Sequence, residues 1–334
     1  MEQLALLTTC ATWLLLSTTL VSLQLRLGSA DENPAESREF RDPARIVGIT
    51  GCFSTEEGER VLDCSSATDV IQIRNSVDKL TSENDLIFNR FKIVENTHID
   101  RLPADLLGGL RVNVIEVVSC PSLTEVNGDF LGASKDTVLV IFLGYNALTR
   151  VPVLEAEGLL ALDLFGNPIE RVSPADFEGV GNLQSLILPP VTIDRLAFHS
   201  LKSLRTLAVP FLSVSLVTAS PGIFYFDSLY LQEVFLPKSN FHYLPPGVFE
   251  GFPRGSKLVM ESYNLTSPAV LFNLFSHGAA LEFTGSITCG CQQAWIRMTP
   301  FLSLSTISCI TEEGQTLLQD IEENEFVSCC QKSF

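Results

Sequence analysis

An α/β repeat solenoid with short parallel strands along a concave face is predicted by three observations. One pattern of 11 positions recurs along the middle of the chain. The apolar pair at its centre is kept in every copy, and cysteines gather at the two ends. The clearest copy is Leu159-Leu160-Ala161-Leu162-Asp163-Leu164-Phe165-Gly166-Asn167-Pro168-Ile169, which continues through Val172 and Phe177 to Val180. Apolar residues stand at positions 1, 4 and 6, Asn at 9 and Ile at 11, which is the leucine-rich-repeat pattern L-x-x-L-x-L-x-x-N/C-x-L. Leu162 and Leu164 flank one outward position, as a short strand requires. Asn167 falls where the chain turns and buried backbone groups need a side-chain partner.

Taken in chain order, the first element is a targeting segment. Residues 4–23 are almost entirely apolar or Ser/Thr, and Gly28-Ser29-Ala30 offers small residues for cleavage before Asp31. Residues 1–30 therefore read as a secretory signal peptide, although Glu2 stands where positive charge is usual. A run of this length is also long enough for an uncleaved anchor. The chain ends at Phe334 without an apolar tail, so no C-terminal anchor is expected. Residues 31–47, rich in Asp, Glu, Arg and Pro, read as a flexible leader.

Residues 48–85 form an N-terminal cap, with Cys52 and Cys64 bracketing a short acidic loop. A solenoid needs such caps because its end repeats otherwise expose core, and in an oxidising compartment disulfides staple them. A loop of this size contributes about 3 kcal/mol through chain entropy.

The repeats occupy residues 86–286. First positions fall at Phe88, Val112, Val138, Leu159, Leu183, Leu204, Leu231, Gly255 and Gly278, spaced by 24, 26, 21, 24, 21, 27, 24 and 23 residues. The pairs at positions 4 and 6 are Phe91/Ile93, Ile115/Val117, Ile141/Leu143, Leu162/Leu164, Leu186/Leu188, Leu207/Val209, Val234/Leu236, Leu258/Met260 and Leu281/Phe283, all apolar. One repeat buries roughly seven apolar side chains at about 2 kcal/mol each. Ordering about two dozen residues costs about 1–2 kcal/mol apiece. No repeat folds alone; about nine stacked on one core do. Cys120 takes position 9 of the second repeat and reads as a buried free thiol, while Val191 and Leu212 replace Asn in the middle repeats, loosening the turns there.

Residues 287–334 form a Cys-rich C-terminal cap holding Cys289, Cys291, Cys309, Cys329 and Cys330. Pairing Cys289 with Cys309 and Cys291 with Cys329 or Cys330 leaves one thiol over, too many repeats from Cys120 to bridge it. The single residue between Cys289 and Cys291 is tighter than structural zinc pairs adopt, so disulfides are expected and metal is not.

Val61-Leu62-Asp63-Cys64-Ser65-Ser66 with Gln72-Ile73-Arg74, the repeats, and Cys289-Gly290-Cys291 followed by Trp295-Ile296 carry a family resemblance. Over residues 52–330 the chain resembles secreted arthropod leucine-rich-repeat proteins of the oplophorus-luciferin 2-monooxygenase non-catalytic subunit family. That resemblance implies a chain which associates with a separate catalytic subunit and performs no chemistry itself.

The residues themselves also speak against an enzyme. His98, His199, His242 and His277 show no metal-ligand spacing, and no H-E-x-x-H, G-x-S-x-G or Gly-rich phosphate loop is present. No cofactor is expected. The net charge of −17 excludes nucleic acid and anionic membrane surfaces as natural partners. Asn264-Leu265-Thr266 is an N-glycosylation sequon in an expected surface turn.

Alternation sends positions 3, 5 and 7 onto the concave face. The repeats starting at 138, 159, 183 and 204 then contribute a single charge, Asp163, and the charges gather towards the two ends. Val118, Val140, Phe142, Asp163, Phe165, Ile187 and Phe235 are the candidate partner-binding residues, an apolar strip inside a charged rim. Coverage of the strip by the chain's own segment Ser213–Leu229 or by the leader is the competing expectation. The predicted role is docking of a protein partner, a separate catalytic subunit among the candidates. A soluble extracellular receptor or matrix module in immunity or development is the alternative.

Overall fold

A computed structural model describes residues 51–55, 59–82, 87–209, 222–236, 247–260, 268–312 and 314–326, all within the compact unit Ala44–Phe334. The segments read as signal peptide and leader lie outside them, as do Leu212, His242, Asn264, Cys329 and Cys330.

Thirteen strands make one sheet in which spatial order follows chain order. They are β1 (Phe53–Thr55), β2 (Val61–Asp63), β3 (Ile87–Val94), β4 (Arg111–Val118), β5 (Val140–Phe142), β6 (Ala161–Asp163) and β7 (Ser185–Ile187). After these come β8 (Thr206–Ala208), β9 (Glu233–Leu236), β10 (Lys257–Met260), β11 (Ala280–Thr288), β12 (Ser305–Thr311) and β13 (Gly314–Leu317). β2 to β12 run parallel; β1 and β13 close the two ends antiparallel. Strands stack about 4.8 Å apart, whereas the helical turns that return the chain need more room, so the sheet takes the inner wall of the curve.

Every residue of the nine predicted pairs is buried, from 0% exposure at Phe91 to 8% at Phe283. The reason is the two-residue strand period: with position 5 outward, positions 4 and 6 have only the core to enter. At the last two repeats the first position departs from expectation. Gly255 and Gly278 carry φ of +84° and +77°, and the buried residue there is the next one, Ser256 and Ala279.

Opposite the sheet, the returning segments contain the 3-10 turns Gly128–Asp136 and Pro174–Val180 and the helix α2 (Pro268–Ser276). Phenylalanines from these returns form an inner column. Phe198 stacks on Phe177 at 6.1 Å and on Phe226 at 5.6 Å, Phe226 meets Phe252 edge-on at 5.4 Å, and Phe224 stacks on Phe249 at 5.7 Å. Phe224 and Phe226 come from the segment Ser213–Leu229 considered as a cover for the concave strip and belong to the core, while residues 213–221 of that segment lie outside the described residues.

A second column ties the coils at position 9. Asn167 donates from Nδ2 to the carbonyls of Leu143 (2.7 Å) and Leu164 (2.8 Å), and accepts from Leu148 N–H at 3.1 Å. Asn146 donates to Val117 (2.7 Å) and Leu143 (2.8 Å) and accepts from Cys120 N–H at 2.8 Å. Asn96 reaches down to the carbonyls of Ser65 and Ala67 in the cap. Cys120 is a buried free thiol, its Sγ 3.6 Å from the Ile93 carbonyl and 3.4 Å from that of Val118, and burial pushes its pKa up. Each polar side chain therefore satisfies backbone groups of its own coil and the one before, which otherwise stay buried and unpaired.

The N-terminal cap lays α1 (Val70–Ser82) over the first coil through Ile73, Val77 and Leu80. The helix starts at Asp69, whose Oδ1 accepts from Gln72 N–H at 2.9 Å, while Gln72 Oε1 accepts from Thr68 N–H at 3.1 Å. Cys52 is bridged to Cys64 and Cys289 to Cys309. Cys291 is also disulfide-bonded.

Candidate partner-binding face

Strand register converts the concave wall into rows. Across β2 to β11 one row reads Asp63, Lys92, Glu116, Phe142, Asp163, Ile187, Ala208, Phe235, Val259 and Glu282. The row beside it reads Val61, Arg90, Val114, Val140, Ala161, Ser185, Thr206, Glu233, Lys257 and Ala280. Charges occupy both ends of the wall and are paired within the chain. Arg90 lies 2.9 Å from Glu116 and 3.5 Å from Glu59, and Lys92 is 3.6 Å from Asp63. At the far end Lys257 spans Glu233 (3.5 Å) and Glu282 (2.8 Å), and the hydrogen bond to Glu282 raises the lysine's pKa.

Between these ends the wall is mainly apolar, with Asp163, Ser185 and Thr206 as its polar residues. Phe142, Phe165, Ile187 and Phe235 are half-buried. Val118 has the same status at the end of β4. Val140 does not. Only 7% of it is exposed, because Val114 and Ala161 flank it in register, so it supports the wall rather than lining it. Val259 (2%) and Ala208 (6%) close in the same way.

Asp163 is the charged exception in this zone. Phe142 and Ile187 sit beside it in register, and its Oδ1 accepts a 2.8 Å hydrogen bond from Phe165 N–H. Burial raises its pKa from 3.8 to about 6, against the lowering effect of that single bond. A carboxyl whose folded pKa exceeds its unfolded one binds the extra proton in the folded state. Its contribution is then most favourable below about pH 4, declines as pH rises towards 6, and stays low above. Asp163→Asn keeps an acceptor for Phe165 N–H and removes the charge. We expect the variant to be about 1–2 kcal/mol more stable at pH 7.4 and indistinguishable from wild type near pH 4, after discounting for the water that reaches the second oxygen. Thermal melts at the two pH values check this, and a destabilised variant at pH 7.4 contradicts it.

Tyr145 joins this zone and is not evident from strand alternation. It occupies position 8, where the chain turns left-handed in four successive repeats: φ is +55° at Glu95, +57° at Ser119, +56° at Tyr145 and +76° at Gly166. Its N–H donates to the Phe165 carbonyl at 2.7 Å, and its ring meets the Phe165 ring edge-on at 5.3 Å. Gly166 makes room for it, since a Cβ there would fall 2.7 Å from the tyrosine ring. The Asn three places after Leu143 marks the turn; the left-handed conformation one place before that Asn is a property of the turn.

Among the described residues no group of three or more His, Cys, Asp or Glu is placed to hold a metal ion, and no helix is long and apolar enough to cross a membrane.

No protein-family model and no curated protein matches the sequence. Among solved structures, the crystal structure of a complex of the Toll-like receptor TLR13 with ssRNA13 aligns at a TM-score of 0.53 and 18% identity, covering 67% of this chain and 31% of that one. The chain thus spans about a third of that neighbour's length, and the likeness speaks to fold alone. Together with the strand order and the asparagine column it establishes a leucine-rich-repeat fold.

Proposed function

We propose that this chain is an extracellular, non-catalytic binding module that docks a protein partner on the apolar middle of its concave wall. One observation carries the reading. Every charge at the two ends of the wall meets an opposite charge, with one negative charge in excess where Lys257 serves both Glu233 and Glu282, and Phe142, Phe165, Ile187 and Phe235 make a half-buried apolar band between them. Such an apolar centre with a polar rim is the anatomy of a protein interface. The disulfides favour an oxidising compartment, in keeping with residues 1–30 read as a signal peptide. A partner that is itself a catalytic subunit, as the oplophorus-luciferin resemblance implies, fits a module of this kind. The solved neighbour is bound to single-stranded RNA, but a net charge of −17 argues against nucleic acid here.

The test is affinity capture from the native secretion, followed by mass spectrometry and measurement of Kd for the captured protein. Phe142→Asp combined with Phe165→Asp is expected to weaken binding at least 100-fold while the protein is still secreted and folded. Undiminished capture by the double variant rules out the strip.

A further inference from the structure

Five carboxylates stand on the two central rows of the concave wall: Asp63, Glu116, Asp163, Glu233 and Glu282. Four of them have a basic partner within the chain. Asp63 pairs with Lys92, Glu116 with Arg90, and Glu233 and Glu282 share Lys257. Asp163 makes no ion pair among the described residues. It is also the carboxylate whose neighbours are apolar, with Phe142 on one side, Ile187 on the other, and the Phe165–Tyr145 aromatic pair following in the chain turn.

Asp163 is half-buried on this wall rather than sealed in the core. Gly144 lies across from the carboxylate, and a Cβ at that position would sit 3.9 Å from Oδ1 and 4.0 Å from Oδ2. Among the described residues Oδ1 is engaged by Phe165 N–H and Oδ2 by no hydrogen-bond donor. An uncompensated carboxylate costs most in an apolar wall. A ligand that brings positive charge and apolar bulk removes that cost as it binds. Aromatic faces beside a carboxylate attract the same ligand through cation–π interaction.

We propose that Asp163, with Phe142, Phe165 and Tyr145, forms the recognition point for a basic side chain of the protein partner. Arginine suits it best: the guanidinium offers paired donors to a carboxylate, and its planar, weakly hydrated surface stacks on rings. This rests on the concave-face reading above and adds the chemistry of the contact. The wall then works as a charge-sorted surface. The carboxylates at its ends already have basic partners within the chain, whereas its centre selects for one cation set in an apolar patch.

A random dodecapeptide library displayed on phage, panned on full-length wild type, on Asp163→Asn and on Phe142→Asp/Phe165→Asp, tests this. Wild type is expected to enrich peptides with one Arg or Lys flanked by apolar residues. The winning synthetic peptide should bind Asp163→Asn at least tenfold more weakly, and replacing its basic residue by citrulline should cost wild-type binding by a similar factor. Asp163→Asn is expected to fold at least as stably as wild type, so lost binding there reports recognition. If the enriched peptides lack a basic residue, if nothing is enriched, or if Asp163→Asn binds the winner equally well, the cation contact is wrong. The concave-face reading fails separately, if Phe142→Asp/Phe165→Asp enriches and binds the same peptides as wild type.

Discussion

Asn146→Ala is expected to destabilise the protein by about 3–5 kcal/mol. The side chain is 6% exposed and serves three backbone groups of two different coils: Cys120 N–H and the carbonyls of Val117 and Leu143. Alanine leaves all three buried. An unsatisfied buried group costs about 1–3 kcal/mol, and the three do not add fully because local relaxation admits some water. Asn146→Asp separates the contributions. It retains an acceptor for Cys120 N–H but presents an oxygen, in place of the amide N–H, to two carbonyls. It should therefore be as unstable as alanine at pH 7 and partly recover on acidification, when a protonated carboxyl donates again. Denaturant melts of the three proteins check this. A loss below about 1 kcal/mol for Asn146→Ala sinks the idea that position 9 sutures the coils.

Phe198→Ala should cost a similar amount, about 3–5 kcal/mol, the range for emptying a fully buried aromatic site. Phe198 is 0% exposed and stacks on Phe177 below and Phe226 above, so it belongs to three consecutive coils at once. A cavity there is held open on the Phe226 side, because that ring is braced by Phe252 and Phe252 by Phe249. Phe198→Leu fills most of the space and should lose less than half as much. Stability in a solenoid passes through neighbouring coils. Hydrogen exchange should therefore show reduced protection in β6 and β8 as well as β7. Loss of protection confined to β7 alone contradicts the shared column.

These two columns differ in how far the residues announce them. The strand pairs were legible because a two-residue period with one outward position leaves no ambiguity, and all of Phe91 to Phe283 went inward. Asn167 and Cys120 were legible too, since a polar residue fixed in an apolar repeat needs a backbone partner. The degree of exposure on the concave side was not. Alternation says which side Val140 takes; it says nothing of Val114 and Ala161 closing over it from strands 26 and 21 residues away. The same blindness applies to Tyr145, whose place beside Phe165 comes from a left-handed turn residue rather than from the strand. Ion pairs were invisible for a related reason: Lys257, Glu233 and Glu282 meet only because three strands share a register. The lone status of Asp163 likewise emerges only once the other carboxylates are seen to be paired.

The most direct measurement places a photo-crosslinking amino acid at Phe165 in one protein and at Glu178, an exposed residue of the opposite return segment, in another. Each is incubated with the native secretion, irradiated, and the adducts mapped by mass spectrometry. Docking on the inner wall predicts an intermolecular adduct from position 165 and none from 178. An adduct from 178 alone, or products at 165 that join only to the chain itself, would show that the partner goes elsewhere and that the apolar band is closed from within.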